Sequence, residues 1–227
     1  LDSDASLIIL PETSIPIEVN VIPKNFMKRM RDHISQNDGH IIFGAIEESK
    51  GKYYNSALLI SKDYESLYRK NHLVPFGEFI PFEKYLTYIY QNWLNIPFTN
   101  LSKGKQESVA LFKIKGLGFA INICYEDVFG NEIAWNDKYS EEPNVLVNMS
   151  NDAWYGKSIA AEQHLQISQA RAIENKKMMI RSTNTGVTAF IDRDGKVLKK
   201  LQQFTSGELR DDVQGYIGAT PYMVFNN

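Results

Sequence analysis

The stretch Leu117-Gly-Phe-Ala-Ile-Asn-Ile-Cys124 is an apolar run that stops on a thiol and passes at once into Tyr125-Glu126-Asp127. A short apolar run closed by polar residues fits a buried strand of a layered α/β fold. Cys124 is the single cysteine of the chain. A thiol at the carboxyl end of such a strand, beside acidic side chains, is where an α/β enzyme holds a nucleophile. The plainer reading is a small buried hydrophobe, because free cysteine is among the most buried residue types. The surrounding sequence has to decide between the two.

Outward from this run, short apolar stretches alternate with helical patterns, as they do in α/β folds. Leu7 to Leu10 reads as a buried strand closed by Pro11. Phe26, Met27, Met30 and Ile34 recur at helical spacing, with Gly39 as the stop, and Ile41 to Ile46 returns as a strand. Tyr53 to Ile60 follows as a strand, turning at Lys62-Asp63. Beyond Cys124, Asn144 to Met149 is a strand, Ser150 to Gly156 a loop, and Ile159 to about Lys176 a helix with Leu165, Ala172 and Ile173 on one side. Met178 to Ser182, Val187 to Ile191 and Val197 to Leu201 read as strands, the last two joined by a hairpin turn at Arg193-Asp-Gly195.

Composition limits the function classes. The 227 residues are 43% apolar and 23% charged, enough for one large domain with a substantial core. A net charge of -2 with mixed signs gives no basic footprint for nucleic acid. One cysteine forms no internal disulfide. No run approaches the roughly 18 apolar residues of a membrane span, and there is no basic-then-apolar amino-terminal signal. The chain begins at Leu1, so it reads as a piece or a processed product of something longer.

The segment Phe76 to Phe98 fits the alternation poorly. It is rich in Phe, Tyr and Trp, and Pro81 and Pro97 interrupt any single regular element. Two readings stay open: a core-packing insertion, or a mobile arm, spanning about 76–103, whose amphipathic aromatics touch a lipid–water interface.

A thiol needs help. The reference pKa of cysteine is about 8.5, so a nearby base or cation is required for useful thiolate at neutral pH. Glu12 follows the first strand in Leu10-Pro11-Glu12, and in a parallel sheet it would lie along the same edge as Cys124, able to take the thiol proton and return it to a leaving group. Lys70, in Tyr68-Arg-Lys-Asn-His-Leu-Val-Pro-Phe-Gly-Glu78, could stabilise a tetrahedral oxyanion. Singly, each signal is weak, since surface Glu and Lys are usually solvated.

Together, Pro11-Glu12, Arg69-Lys70 with His72-Leu-Val-Pro-Phe-Gly-Glu78, Cys124-Tyr-Glu126, and Asn148-Met-Ser-Asn-Asp-Ala-Trp-Tyr-Gly156 resemble the ordered motifs of the nitrilase, or carbon-nitrogen hydrolase, superfamily. Within it, the His-Leu-Val-Pro-Phe-Gly-Glu and Cys-Tyr-Glu strings resemble the apolipoprotein N-acyltransferase family most specifically. The likeness continues through Ser182-Thr-Asn-Thr-Gly186, Asp192-Arg-Asp-Gly195 and Thr220-Pro-Tyr222, so it covers nearly the whole chain.

The resemblance implies a four-layer α-β-β-α sandwich and a triad of Glu12 as general base, Lys70 as oxyanion stabiliser and Cys124 as nucleophile. It implies that Glu78 orients or polarises Lys70, that Glu126 supports the nucleophile, and that Tyr125 and Trp154 lie near substrate. Transfer of an acyl chain from a phospholipid to the amino-terminal amine of an S-diacylglyceryl-cysteine apolipoprotein is implied too, through a thioester and without metal or organic cofactor. Family members carry membrane helices on both sides of this domain, so the chain is expected to be the extracytoplasmic, periplasmic-side domain of a bacterial inner-membrane enzyme, working as a monomer. The alternative is a soluble amidase or nitrilase on a small substrate, which shares the triad but needs no long aromatic arm.

Remaining features carry little. His33, His40, His72 and His164 show no metal-ligand spacing, and His72 is expected to structure its loop. Asn100-Leu-Ser102 and Asn148-Met-Ser150 match a glycosylation sequon by coincidence.

Overall fold

The computed structural model describes residues 3–79, 100–104, 111–134 and 141–225, and in it the apolar runs become the strands of two sheets. The first sheet holds Leu7–Ile9 (β1), Ile15–Glu18 (β2), His40–Ser49 (β3), Lys52–Ile60 (β4) and Glu65–Arg69 (β5). Its order is β1-β3-β4-β5, with β2 also paired to β3. The second sheet holds Leu111–Ile114 (β6), Leu117–Ile123 (β7), Val145–Ser150 (β8), Met178–Thr183 (β9), Ala189–Ile191 (β10) and Val197–Lys200 (β11), each strand beside the next in chain order. Its centre, β7-β8-β9, is parallel, and antiparallel pairs flank it on both sides. The described helices are Lys24–Gln36 (α1), Gly130–Ile133 (α2), Ala160–Asn175 (α3) and Pro221–Phe225 (α4).

Alternation of side chains along each strand sorts the layers. In β3, Ile41, Phe43 and Ala45 pack with Met30 and Ile34 of α1, while Ile42 turns inward toward the second sheet. In β7, Phe119, Ile121 and Ile123 face inward with Val145, Val147 and Met149 of β8. Ala120, Leu146 and Met179 face outward, against Ala161, Leu165 and Ala172 of α3. Three apolar clusters therefore separate four layers: α1, the first sheet, the second sheet, and α2 with α3. This is the expected α-β-β-α sandwich.

The structure differs from the sequence expectations at several points. Glu12 and Cys124 follow strands of different sheets, not neighbouring strands along one parallel edge, and the two sheets stack over a shared apolar core. The helix α1 stops through Asp38 at φ 47°, with the Gly39 amide donating to the Ile34 carbonyl at 2.8 Å, so the left-handed residue precedes the glycine. Ile173 is 47% exposed and not on the buried side of α3. The strands β2, β5 and β6 carried no clear sequence signal, and Pro16 inside β2 disguises it as a turn.

Candidate active site

Glu12, Lys70, Glu78 and Cys124 are all buried, with Lys70 only 1% exposed. Glu12 stands just past β1, and Lys70 just past β5, where its amide donates to the Asn55 carbonyl at 2.8 Å. The Lys70 Nζ donates to Glu12 Oε1 at 3.3 Å and to Glu78 Oε1 at 3.0 Å. Asn55 Nδ2 donates to the same two oxygens, at 2.7 Å and 2.9 Å. Two carboxylates are thus bridged twice, once by an ammonium and once by an amide, in a closed ring. Burying a cation between two carboxylates requires this degree of satisfaction, because each ion gives up its water.

Both carboxylates are held from outside the ring as well. Glu12 Oε2 accepts the Asn151 amide at 2.7 Å, which ties the first sheet to the loop after β8. Glu78 Oε2 accepts the Val74 amide at 2.7 Å. Gly44 of β3 lies behind Glu12. A Cβ there would stand 2.4 Å from the Thr13 nitrogen and 2.8 Å from the Glu12 Cα, so only glycine lets these backbones approach. Gly44→Ala is expected to push Glu12 outward, and if Glu12 serves Cys124 as a base, to slow reaction of the thiol with an activated ester about 100-fold, as misplacement by about an ångström does. Stability should fall by roughly 1–3 kcal/mol. Burst kinetics with an activated ester and urea unfolding check the two effects.

Cys124 opens a 3-10 turn, Cys124–Val128, with φ 53°. A non-glycine residue in this left-handed region is uncommon and has to be held by its surroundings. Glu126 does part of this. Its Oε2 accepts the Ile123 amide at 2.7 Å, and its Oε1 accepts the amides of Asn71 at 2.6 Å and His72 at 3.0 Å. The Tyr68 hydroxyl donates to both oxygens at 2.9 Å. One buried carboxylate therefore fastens the chain before the thiol to the chain after Lys70. Burial pushes this carboxyl up, and Lys70 and the three amides only partly offset it.

The charges define the resting state. Burial works against the Lys70 ammonium, but the negative charges of Glu12 and then Glu78 outweigh it and hold the lysine above its ordinary range. Burial first, then the charge of Glu12, pushes the Cys124 thiol up to about 12, against the opposing pull of Lys70. At neutral pH the sulfur is therefore protonated, and a base would have to take its proton before it could act as a thiolate. Burial also raises the Tyr155 phenol.

The other expected residues sit further out. Tyr125 is half-buried against the inter-sheet core, with its ring edge-on to Phe129 at 5.2 Å. Phe129 in turn stacks on His72 at 3.9 Å, and His72 Nδ1 lies 2.8 Å from Glu132, so His72 structures its loop. Trp154 is 65% exposed on the turn Asp152–Tyr155 and does not line the buried ring. Asn148 is fully buried, so its sequon match is unavailable to a glycan.

The arm expected at about 76–103 lies mostly outside the described residues, but its ends are placed. Phe76 takes φ 64° and donates its amide to the Phe79 carbonyl at 2.8 Å. The Leu101 amide donates to the Glu78 carbonyl at 2.9 Å, and the Gly104 amide to the Lys70 carbonyl at 2.8 Å. Both ends of the segment are therefore rooted at the Lys70–Glu78 ring.

Sequence reasoning missed a second buried polar group. Asn122, Asn148 and Arg181 are register partners across β7, β8 and β9, forming a polar row on the face toward α3. Asp127, Asp152, His164 and Ser168 complete the cluster. The signal was present as single polar residues inside apolar strands, Ile-Asn-Ile, Val-Asn-Met and Ile-Arg-Ser. Asn55 was missed in the same way, set in β4 ahead of an apolar stretch. No group of His, Cys, Asp and Glu among the described residues is arranged to hold a metal.

Comparison with known proteins agrees with this architecture. The family model for carbon-nitrogen hydrolases matches residues 1–222. The apolipoprotein N-acyltransferase of Nitrosomonas europaea is 42% identical over 228 residues, covering 100% of the chain and 45% of that relative. That of Vibrio cholerae is 36% identical over 231 residues, covering 98% of the chain and 45% of the relative. The chain thus spans less than half the length of these curated relatives. Among solved structures, a CN-hydrolase superfamily protein from Xanthomonas campestris superposes with a TM-score of 0.62 at 19% identity, over 88% of this chain and 74% of that one. A cysteine-to-alanine mutant of the Nesterenkonia AN1 amidase gives 0.62 at 14% identity, over 88% and 74%. At these identities the likeness is one of fold.

Proposed function

The chain belongs to the carbon-nitrogen hydrolase family, and from that premise we propose that it is the catalytic domain of an apolipoprotein N-acyltransferase. The observation that carries this is identity of 35–42% to such enzymes along essentially the whole chain, combined with one buried thiol beside a carboxylate–ammonium ring. Likeness to a CN-hydrolase superfamily protein at 19% identity and an amidase at 14% supports the fold and no more.

On this reading Glu12 is the general base. As Cys124 Sγ attacks the ester carbonyl of a phospholipid, the thiol proton passes to Glu12, and the oxyanion gathers its charge beside Lys70. The carbon–oxygen bond breaks, Glu12 returns the proton to the leaving oxygen, and lysophospholipid departs. The amine of an S-diacylglyceryl cysteine then attacks the thioester. Glu12 takes a proton from the nitrogen, the carbon–sulfur bond breaks, and the sulfur is reprotonated. A thioester suits this sequence because it persists in water yet reacts with amines.

Glu78 and Asn55 act as positioning residues that keep Glu12 and Lys70 at fixed separation, and Glu126 does the same for the main chain at Cys124. Tyr125 and Trp154 belong to the rim where substrate approaches. The segment at 76–103, rooted at the ring, is the part of the domain that meets the lipid, on the periplasmic face of the inner membrane. No described helix is long and apolar enough to cross a membrane.

The direct test presents the protein with phospholipid and a diacylglyceryl-cysteine peptide in mixed micelles. Expected is an amide-linked third acyl chain on the peptide, seen by mass spectrometry. Release of ammonia from small amides, with no acylated peptide, would favour a soluble amidase instead.

A further inference from the structure

We propose that His164, held as an imidazolium between Asp127 and Asp152, is a positioning residue that fixes the main chain of Cys124. The proposal rests on Cys124 being the acyl-accepting nucleophile.

His164 projects from α3 and is 8% exposed. Its Nδ1 lies 3.1 Å from Asp152 Oδ1. Its Nε2 lies 2.9 Å from Asp127 Oδ1 and 3.3 Å from the Cys124 carbonyl oxygen. All three partners accept hydrogen bonds. A neutral imidazole has one N–H and one lone pair, so it would turn that lone pair on a carboxylate; only the doubly protonated ring donates on both sides.

The groups facing the ring from other elements lead to the same state. Arg181 of β9 donates from Nη2 to Asp152 Oδ2 at 2.9 Å, and its Nη1 stands 3.5 Å from Asp127 Oδ2. The Ser168 hydroxyl donates to Asp127 Oδ2 at 2.7 Å, and the Ser150 hydroxyl to Asp152 Oδ1 at 2.7 Å. Two buried carboxylates therefore face Arg181 and His164, and the charges balance only when His164 carries a proton. Burial works against that proton, but the hydrogen bonds His164 donates to Asp127 and Asp152 outweigh it and raise the histidine above its usual range. Asp152 moves oppositely: the His164 hydrogen bond and Arg181 overcome burial and hold it at about 2.

The consequence falls on the nucleophile. Cys124 sits at φ 53°, and its carbonyl is held by His164 and by Asn148 Nδ2 at 3.1 Å. Loss of the His164 proton removes one of those donors if the remaining N–H turns to Asp152. It also leaves an unbalanced negative charge beneath a sulfur that must itself become negative. Because the folded histidine titrates above its unfolded value, its contribution to stability is complete below about pH 6.5. That contribution disappears as pH rises through the folded pKa.

The test measures the burst of p-nitrophenolate as Cys124 is acylated by a p-nitrophenyl ester, from mildly acidic to mildly alkaline pH, in wild type and His164→Gln. Circular dichroism and iodoacetamide labelling of Cys124 serve as fold controls. Expected in the wild type is an alkaline decline below the titration of the thiol. In the variant we expect acylation about 100-fold slower with that decline gone. Independently of how His164→Gln folds, ring nitrogen NMR of wild type, assigned by replacing the other three histidines singly, reads the protonation state directly. Both His164 nitrogens should be protonated at slightly alkaline pH. A neutral His164 ring there, or a folded variant with wild-type rate and profile, overturns the proposal. A wild type with no burst overturns the nucleophile assignment itself, and the positioning role with it.

Discussion

Replacing Cys124 with alanine is expected to lower acyl transfer by a factor on the order of 10⁴–10⁶, the loss seen when a nucleophile is removed from a unit that works with its base. Residual turnover by water or Glu12 alone should be negligible, because the chain has no second thiol to carry the acyl group. The substitution should leave folding nearly intact, since a buried sulfur is exchanged for a methyl group of the same left-handed residue. Cys124→Gly separates chemistry from strain. At φ 53° a side chain costs about 1 kcal/mol that glycine does not. Urea unfolding should show the glycine form more stable than the alanine form by about that amount, both equally dead in transfer assays.

Lys70→Met is expected to damage fold and function together. The ammonium sits 3.3 Å from Glu12 and 3.0 Å from Glu78, with 1% of its side chain exposed. Without it, two carboxylates share a buried site with only Asn55 between them. Breaking a buried pair by removing one partner costs roughly 3–5 kcal/mol, against about 1 kcal/mol for an exposed pair. Methionine keeps most of the apolar length of the lysine, so the loss reads the missing charge and not lost packing. Lys70→Arg would not rescue, because a planar fork cannot sit between two oxygens shaped for a point charge. Thermal unfolding at neutral pH checks the stability, and burst kinetics check the rate.

Much of the fold was legible because the layers are written in apolar periodicity. The runs at 7–10, 41–46, 117–124, 144–149 and 178–182 all became strands, and their alternation with helices required a layered α/β fold. The pairing of two sheets was not legible from periodicity. Glu12 and Cys124 end strands of different sheets, and residues 112 positions apart carry no local sign that their strands stack; the resemblance supplied that layer. Edge strands were lost where their signals were weakest, as in Ile15–Glu18 with its internal proline.

The candidate site divides along the same line. Glu12, Lys70, Glu78, Cys124 and Glu126 stood in motifs; in the structure Lys70 bonds both Glu12 and Glu78, and Glu126 holds the amide that precedes Cys124. Asn55, His164, Ser168 and Arg181 stood in no quoted motif, and Asn148 and Asp152 stood in one that did not announce a polar cluster. A lone asparagine in β4 or β8, or an arginine in β9, reads as a flaw in a strand until register shows three polar residues in one row. His164 shows no metal spacing because its partners are carboxylates from two turns and an arginine from a strand. Buried polar residues inside apolar strands were the missed clue, since burial of such groups demands partners.

Intact-protein mass spectrometry tests the central claim most directly. The protein and its Cys124→Ala form are incubated with detergent-dispersed phospholipid, then treated with hydroxylamine. The wild type should gain the mass of one acyl chain, lost on hydroxylamine treatment, while the alanine form gains nothing. An adduct that survives hydroxylamine, or one that appears equally on the alanine form, would contradict a thioester at Cys124 and with it the acyl-transfer account.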